Sequence, residues 1–493
     1  MHTRKILAAK NTPLKGGIIG ALRFMALLVF AQTAAAQKTD TVFTKVIEVD
    51  QIPRSVYART PSVAVDENEN FTVAWSAESK GRPEIFLRRF DAIGRPLTDI
   101  RALSGFVGDT LNIENPQLAD IGGGFMWLVW QQKPARAASQ VVAMILNHDL
   151  KIARAPFVIH VDPDPYSRPR IIMDRNGRVL VTWVIDTLPV AVVARFFNRD
   201  GAPLTGLFTI TQDSQMLRLG EQLAVAVSST GTFAVAWHAY EANTDMIYLR
   251  AFTDENKFTS DPLAVAQRGV FYPSLAFGSA TEIVAQWFTT ISAPVLRAQR
   301  FDLNAKPLGA AFAITTEIDK EPRPTTLLAN ERGTFNSFWS ITEPRDTTAS
   351  QIFTRAFLLN EQPIATARIL ARTPQRANFP PELHASLAAS GNFVTAYTGN
   401  DTSITLPSPR VGAIINKSAL PDLYVFDLAI TQTNPTRADS VKATFIVRNT
   451  GFAPAPSSFA LLDLTSNTQA RLIAIPPLGV EQTRTFSFNF GPL

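Results

Sequence analysis

The stretch Phe71-Thr-Val-Ala-Trp75 establishes the architecture of this chain of 493 residues, because its pattern returns six more times. The aromatic residues that end successive copies lie 50 to 58 residues apart. These seven ring positions are Trp75, Trp130, Trp183, Trp237, Trp287, Trp339 and Tyr397. Self-similarity at this period is typical of propellers and other repeat arrays. We therefore expect the seven rings to form the structural core of the repeat.

Apolar residues alternate before each ring in the manner of a β-strand. Counting the ring as position zero, positions −4 and −2 hold Phe71 and Val73 in the first copy, and Phe233 and Val235 in the fourth. Residues two apart share one face of a strand, so these side chains lie on the face of the ring. The other face is also mostly uncharged, which indicates a strand covered on both sides by neighbouring blades.

Each copy contains further short strands. One precedes the ring strand, begins near a proline such as Pro61, and ends before a glycine turn such as Gly231. Two follow the ring, for example Ile85–Asp91 in the first copy and Leu263–Ala266 in the fourth. Four strands in each repeat indicate a propeller blade, so the sequence predicts an all-β fold with a seven-bladed β-propeller.

The seventh copy lacks a fourth strand, whereas Val42–Val49 precedes the first copy without a blade of its own. We predict that this N-terminal strand completes the seventh blade and closes the ring, which removes open sheet edges. The alternative is an open solenoid of seven units. Residues 37–420 are assigned to the propeller on this interpretation.

Residues 1–36 predict a signal peptide. They carry five basic and no acidic residues, then the apolar run Phe24–Phe30, then Ala34 and Ala36 placed for cleavage before Gln37. A membrane anchor is the alternative, but the run is shorter than the roughly 20 residues that span a bilayer. After cleavage we expect an exported protein without a transmembrane segment, located outside the cell, at its surface or in the periplasm.

The charge and the cysteine content of the chain limit the classes of partner and cofactor that we expect. The chain has 47 basic and 42 acidic residues, and the excess lies in residues 1–36, so nucleic acid and anionic lipid are not expected. Cysteine is absent, which excludes disulfides, thiol catalysis and cysteine-ligated zinc. We expect no cofactor and a monomer.

After Leu420 the repeat ends, and residues 421–493 show short alternating strands that predict a small immunoglobulin-like β-sandwich. The repeat resembles propeller-type repeats of exported bacterial proteins. The tail resembles the CARDB family, immunoglobulin-like modules linked to cell adhesion, at Asp422–Val425, Val447–Asn449 and Leu478-Gly479. This resemblance implies a surface spacer or adhesive role. Members of that family continue past the point where this chain stops, so the module is expected to be truncated or atypical.

The sequence contains only partial matches to metal-binding motifs. Asp66-Glu-Asn-Glu-Asn70 matches the first alternating oxygen ligands of a calcium loop, but glycine is missing at the sixth position and Ala77 replaces the bidentate carboxylate. A hairpin turn is the favoured interpretation there, and also for Asp162-Pro-Asp-Pro165. His148, His160, His238 and His384 lack metal-ligand spacing, so no metal site is expected.

Function on propellers lies mostly in loops, and those after each ring are the most polar and variable. We predict that they form a binding face, with Glu78, Lys80, Arg82, His238, Glu241, Asp245, Glu343 and Arg345 as its candidate residues. Trp127 is out of register with the ring positions and is the tryptophan expected to be exposed.

These patterns favour an exported, non-catalytic protein that presents its loop face to a protein or glycan partner, and no catalytic residue is predicted. The first alternative is a sialidase-like glycoside hydrolase or lyase that uses the channel mouth, although the sialidase Asp-box turn is absent. The second alternative is a passive structural module of a larger surface protein.

Overall fold

A computed structural model describes residues 5–6, 27–31, 42–50, 56–79, 81–103, 110–162, 168–185, 190–211, 218–241, 243–255, 257–290, 295–315, 323–330, 333–342, 349–364, 366–374, 382–388, 391–400, 409–418, 423–430, 441–449, 458–462, 471–478 and 482–490. The regular structure of these residues consists of β-strands. The chain divides into a larger unit, Thr44–Ile415, and a smaller unit, made of Met1–Phe43 and Asn416–Leu493.

Seven four-stranded sheets form the blades of a β-propeller. Blade 1 contains Val56–Val65, Phe71–Ser79, Arg82–Phe90 and Arg101–Ala102; blade 2 contains Thr110–Gly122, Phe125–Pro134, Ser139–Asn147 and Ile152–Asp162; blade 3 contains Arg170–Met173, Val179–Ile185, Ala191–Phe197 and Phe208–Thr209; blade 4 contains Arg218–Val227, Phe233–Glu241, Thr244–Phe252 and Leu263–Gln267. Blade 5 contains Val270–Phe277, Glu282–Thr289, Val295–Asp302 and Phe312–Ala313; blade 6 contains Arg323–Asn330, Thr334–Thr342, Ala349–Leu358 and Arg368–Pro374; blade 7 contains Leu383–Leu387, Phe393–Asn400, Pro409–Ser418 and Val42–Glu48. The predicted all-β, seven-bladed propeller is confirmed.

The first strands of the blades form a closed inner ring. Each first strand contacts the first strands of both neighbouring blades, and that of blade 7 contacts that of blade 1. The later strands of each blade follow outward in sheet order. Side chains on the first strands are therefore the ones placed around the central channel.

The strand Val42–Glu48 stands next to Pro409–Ser418 in the sheet of blade 7. Directly after it, the amides of Val49 and Asp50 both donate to the carbonyl of Val411, at 3.0 and 3.1 Å. That this pairing holds the ring shut stays a prediction, which a deletion can test.

The core of the propeller lies between the blades. All seven ring residues are buried, and the most exposed of them, Tyr397, is 8% exposed. Trp237 of blade 4 packs in one cluster with Leu180 and Phe196 of blade 3. Each second strand thus meets one neighbour with its ring face and the other neighbour with its opposite face, which explains why both faces are apolar.

The expected exposure of Trp127 is wrong. Its side chain is fully buried, its ring centroid lies 5.6 Å from that of Phe197, and its indole N–H donates to the carbonyl of Arg199 at 2.9 Å. Trp127 is out of register with the ring positions, so its side chain lies on the other face of the strand. In a propeller the following blade covers that face.

The smaller unit contains two sheets. One holds Leu423–Ile430, Val441–Asn449 and Thr483–Phe490; the other holds, in sheet order, Lys5–Ile6, Leu27–Ala31, Ser458–Leu462 and Arg471–Ile475. Phe445, Val447, Ile475 and Leu478 form a small buried cluster in this unit. The immunoglobulin-like sandwich, the CARDB resemblance and the signal peptide stay predictions. Within the residues described, no helix is both long and apolar enough to cross a membrane.

Candidate functional site

One end of the propeller gathers two sets of residues. In blade 1, Val56 at the start of the first strand pairs with Glu78 near the end of the second strand, and in blade 7 Leu383 pairs with Tyr397. The starts of the first strands therefore lie at the same end as the hairpins between second and third strands. We call this end the channel mouth. The predicted binding loops belong to it.

The first strands are distorted near the mouth in four blades. Thr60, Asn115, Arg168 and Tyr272 have positive φ angles, of 47°, 54°, 35° and 56°, and each directly precedes a proline. A residue before proline is normally extended, and a positive φ at such a residue costs about 1–3 kcal/mol. The strand pairing slips at the same place, between Arg59 and Ser62 in blade 1. Such bulges redirect side chains at the edge of a sheet and are frequent at functional sites.

A group of charged residues lies at this level of the inner ring. It comes from blades 1, 2, 3 and 7, and we call it the mouth cluster: Arg59, Glu114, Arg168, Arg170, Glu382 and His384. Arg59 is exposed and the other five are partly exposed, so solvent reaches the cluster. The ring of strands nevertheless encloses Arg170, Glu382 and His384 with protein atoms.

Glu382 is held by the blade next to it. One of its carboxylate oxygens accepts the backbone N–H of Thr60, and its own amide donates to the hydroxyl of Thr398 at 2.8 Å. Loss of solvation raises the pKa of this carboxyl, and the negative charge of Glu114 acts in the same direction. The Thr60 amide and the charges of Arg59 and Arg168 oppose this rise. The carboxyl therefore keeps its proton to a higher pH than an ordinary glutamate.

His384 is a neutral hydrogen-bond donor at physiological pH. Burial, together with the charge of Arg170, lowers its pKa to about 4. Its Nδ1 accepts the backbone N–H of Val63 at 3.2 Å, so the proton of the neutral ring is on Nε2. Because the lone pair of Nδ1 is occupied, the Nε2–H donor is the group that this imidazole can offer, and the ring is not suited to act as a base.

Arg170 lies two residues after Arg168. Its Nε donates to the carbonyl of Leu223 at 3.0 Å and its Nη1 to that of Pro169 at 3.2 Å. Burial and the neighbouring charge of Arg168 lower its pKa to about 10, so it stays charged at neutral pH. The sequence thus places two cations side by side within the ring.

The residues of other blades that are equivalent to His384 have a structural role. Thirteen residues before the ring, Ser62 accepts the amide of Leu118 in the next blade at 3.0 Å, and Ser274 accepts the amide of Leu327 at 2.8 Å. A serine hydroxyl is therefore sufficient to link one blade to the next. The histidine of blade 7 supplies the same link and adds a second polar group.

The predicted residues of blade 4 are brought together. His238 Nε2 lies 3.1 Å from an oxygen of Asp245, and burial lowers the pKa of His238 although Asp245 acts against this. Glu241 accepts the hydroxyl of Tyr248 at 2.5 Å, and burial, followed by that carboxylate, raises the pKa of Tyr248. The His238 ring lies 5.2 Å from that of Phe271 in blade 5.

The expectation that these residues lie in an open loop is wrong. The second and third strands continue in register until Glu241 opposes Thr244 in blade 4 and Ser79 opposes Arg82 in blade 1. Residues with positive φ, Asn243 at 66° and Gly81 at 74°, make these tight turns. Glu78 and Arg82 thus lie on strands, whereas Lys80, Glu343 and Arg345 lie outside the described residues.

The mouth cluster was missed because reasoning from the sequence followed the ring strand. A signal was present: positions −15 and −13 carry Arg168 and Arg170 in blade 3, and Glu382 and His384 in blade 7. Serine, glutamine, alanine and threonine occupy position −13 in the other blades. Charged residues at these positions of the first strand are exceptions to the repeat, and such exceptions are functional candidates.

The other motifs lie elsewhere. Asp66 Oδ1 accepts the amides of Asn68 and Asn70 at 2.8 and 2.9 Å, and Oδ2 pairs with Arg89, so this segment is a hairpin turn. Pro163, Asp164 and Pro165 lie outside the described residues. His148 contacts Asp120 at 2.7 Å, away from the mouth. In the described ranges, no three His, Cys, Asp or Glu residues are grouped to hold a metal.

Comparisons with known proteins find the fold but no family. No family model and no curated protein matches the sequence. Among solved structures, a PL25 ulvan lyase bound to -[GlcA(1-4)Rha3S]- is similar with a TM-score of 0.52 and 8% identity, covering 72% of this chain and 93% of that chain. A protein of unknown function from Dyadobacter fermentans has a TM-score of 0.46 and 13% identity, covering 76% of this chain and 99% of that chain. The phage phi92 endosialidase has a TM-score of 0.46 and 9% identity, covering 89% and 88%.

The prediction that this chain is not an enzyme is wrong, because an enzyme shares its fold. The structure with a TM-score of 0.52 is a polysaccharide lyase, so the fold that this chain shares with it also carries an enzyme. That prediction depended on the absence of a catalytic motif along the sequence, whereas propeller sites are assembled from several blades. At these identities the likeness shows a shared fold, so the chemistry must be argued from the residues.

Proposed function

We propose that this protein cleaves polysaccharide chains at the channel mouth and that Glu382 transfers the proton. The observation that carries this proposal is the placement of Glu382. Its carboxyl is fixed by the Thr60 amide, stands in the electrostatic range of Arg59 and Arg168, and remains accessible to solvent. A positioned carboxyl in an enclosed but accessible site is suited to general acid–base catalysis.

Cleavage of a glycosidic bond needs a proton for the departing oxygen. Glu382 keeps its proton to a higher pH than an ordinary glutamate, so it is suited to donate it. Glu114, whose charge reaches Glu382, is the second carboxylate and removes a proton from the attacking water. In this hydrolysis the C–O bond breaks, water supplies hydroxyl to the sugar carbon, and both carboxyls return to their starting states after proton exchange.

His384 and the predicted residues of blade 4 have supporting roles in this proposal. The Nε2–H of His384 donates to a sugar hydroxyl, because Nδ1 is engaged by Val63. The His238–Asp245 and Tyr248–Glu241 pairs stand at the same end and supply polar edges for a longer chain. Residues of several blades bound the mouth, so a chain of several sugars can contact more than one blade.

Two further points agree with a glycan substrate. The ulvan lyase, which shares the fold, is bound to a polysaccharide fragment. The predicted export signal would bring this chain to polysaccharides outside the cell. An N-terminal strand that closes the ring would keep blades 7 and 1 in contact, and with them Glu382 and Thr60.

The test is a screen of polysaccharides with the full chain and with Glu382→Gln. Reducing ends report cleavage, and ultraviolet absorbance of an unsaturated product distinguishes elimination from hydrolysis. Loss of general acid–base catalysis lowers turnover by about 10²–10⁴-fold. Glu361→Gln is the matched control, because Glu361 pairs with Arg300 at 3.2 Å at the opposite end. Unchanged turnover in Glu382→Gln, or no turnover on any polysaccharide, would contradict the proposal.

A further inference from the structure

We infer that Ser76 positions the carboxyl of Glu382, and that it does so through the peptide bond between Arg59 and Thr60. Ser76 acts through this peptide and not on the substrate, so it is a positioning residue. The inference rests on the proposed function only for the role of Glu382 in catalysis. The proton affinity of that carboxyl can be measured without a substrate.

The peptide unit between Arg59 and Thr60 is held on both sides. On one side the hydroxyl of Ser76 donates to the carbonyl of Arg59 at 3.3 Å, and on the other side the N–H of Thr60 donates to the carboxylate of Glu382. Because a peptide unit is planar and almost always trans, its C=O and N–H point in opposite directions, and fixing one fixes the other. Ser76 therefore sets the direction of the donor that Glu382 receives from blade 1.

A second hydrogen bond joins the same residues. The hydroxyl oxygens of Thr60 and Ser76 lie 3.0 Å apart. Since Ser76 gives its own proton to the carbonyl of Arg59, Thr60 is the donor in this pair. Successive hydrogen bonds polarise one another, so this chain makes the Thr60 amide a better donor. Ser76 is 6% exposed, which protects the chain from competition by water.

These contacts lie at the kink of the first strand of blade 1. Arg59 still pairs with Ser76 of the second strand, and the pairing then shifts before it resumes at Ser62. Thr60, with a φ of 47°, stands within this shift. Backbone groups that leave a ladder need other partners when they are not solvated. Ser76 supplies a partner for the carbonyl, and Glu382 supplies one for the amide.

The kink itself does not require a hydroxyl on the second strand. Arg168 in blade 3 and Tyr272 in blade 5 also have positive φ angles before a proline. The residues that correspond to Ser76 in those blades are Val184 and Phe288, which carry no hydroxyl. The serine of blade 1 is therefore explained better by the amide that it directs than by the kink.

Blade 7 holds the backbone of Glu382 in a similar way. Thr398 follows the ring position of blade 7, as Ser76 follows that of blade 1. Its hydroxyl accepts the amide of Glu382 at 2.8 Å, and its own amide donates to the carbonyl of Glu382 at 3.1 Å. The residues that follow two neighbouring ring positions thus fix the carboxyl from one blade and its amide donor from the other.

The experiment measures the pKa of Glu382 by carboxyl-carbon NMR of the full chain with isotope-labelled glutamate. Glu382→Gln identifies the resonance, because that signal is missing from its spectrum. Burial and the charge of Glu114 raise this pKa, whereas the Thr60 amide and the charges of Arg59 and Arg168 lower it. A variant that misdirects the amide therefore leaves a less stable carboxylate and a higher pKa.

Ser76→Ala frees the carbonyl of Arg59 and weakens the hydrogen bond from Thr60. The midpoint of the Glu382 titration should rise by about one pH unit, the tenfold change in proton affinity that follows the loss of a charge-assisted hydrogen bond. The high-pH limb of the turnover profile should rise by the same amount, since the general acid keeps its proton to a higher pH. An unmoved midpoint would overturn the inference.

Two variants of similar shape separate the hydroxyl of Ser76 from its volume. Ser76→Thr keeps the hydroxyl, and Thr398 shows that threonine is accepted at this position, so its midpoint should match that of the original chain. Ser76→Val lacks the hydroxyl, as Val184 does in blade 3, and should raise the midpoint as Ser76→Ala does. Equal midpoints in these two variants would contradict a role for the hydroxyl.

Ser340→Ala is the control for the loss of a buried serine at the mouth. Ser340 follows the ring position of blade 6 and pairs with Arg323 of the first strand there. We expect it to leave the Glu382 midpoint unchanged. A rise equal to that of Ser76→Ala would attribute the effect to general loosening of the blades and overturn the inference.

The titration and the turnover assay separate this inference from the proposed function. A raised midpoint in Ser76→Ala, in a chain that cleaves no polysaccharide, would support the positioning role while the proposed function fails. Cleavage that depends on Glu382, together with an unmoved midpoint in Ser76→Ala, would support the function while this inference fails.

Discussion

Replacing His384 by asparagine is expected to make the stability of the propeller less sensitive to acid. Asparagine keeps an oxygen near the position of Nδ1, so it still accepts the Val63 amide that links blade 7 to blade 1. It removes the group whose protonation the fold opposes. The substitution therefore separates the titration of the histidine from its hydrogen bond.

The direction in which the unfolding free energy changes with pH follows from the lowered pKa of His384. In the folded chain the pKa of His384 is about 4, because of burial and of Arg170, against 6.5 for an unperturbed imidazole. As the pH falls, the unfolded chain takes up this proton first, so the contribution is complete above pH 6.5 and is lost as the pH falls through 4. Glu382 nearby has a raised pKa and acts in the opposite direction, but it is present in both proteins and cancels in the comparison.

The magnitude can be bounded from the same shift. At about 1.4 kcal/mol for each pKa unit, the full effect is about 3 kcal/mol. Since the side chain is partly exposed, screening by solvent reduces this to about 1–2 kcal/mol between pH 7 and pH 4.5. The original chain is expected to lose that much more unfolding free energy over this range than His384→Asn.

The assay is urea unfolding followed by tryptophan fluorescence, which the buried ring tryptophans make sensitive to the fold. His160→Asn in the fourth strand of blade 2 controls for the loss of an imidazole elsewhere in the propeller. Parallel pH profiles for the original chain and His384→Asn would refute the reasoning.

Two further predictions concern stability, and a third concerns self-association. Asp66→Asn leaves buried Arg89 without its anion and should lower the unfolding free energy by about 3–5 kcal/mol, whereas Asp91→Asn, whose partner Arg95 is 61% exposed, should cost less than about 1 kcal/mol in the same urea titration. Trp237→Ala removes a ring that is 1% exposed and should cost about 3–5 kcal/mol; a midpoint within error of the original would contradict its core role. Deleting residues 42–48 exposes the edge of Pro409–Ser418, so light scattering should detect self-association, and a stable monomer would show that the ring does not need this strand.

Most of the propeller could be predicted from the sequence, because burial in this fold is periodic. The spacing of Trp75, Trp130 and their equivalents predicted the number of blades, and alternation around each ring predicted a strand covered on both faces. Trp127 shows where this reasoning stopped. Its register was identified correctly, but exposure was inferred for a face that the next blade covers.

The mouth cluster was beyond the reach of local patterns. Glu382 and Thr60 are 322 residues apart in the chain, and only closure of the ring brings them together. The tight turn at Asn243 was also hidden, because a positive φ at asparagine leaves no clear mark among polar residues. The mouth cluster and the tight turn could not be predicted because they depend on contacts between residues far apart in the chain and on backbone conformation, which residue types alone do not reveal.

The link at position −13 has a consequence for how such a protein diversifies. Ser62, Ser274 and His384 each accept an amide of the next blade, so very different side chains serve the same joint. The tryptophans that give the blades their shared interior are on a separate strand. Duplicated blades can therefore acquire new chemistry at the axis, one unit at a time, while the scaffold they inherited remains intact.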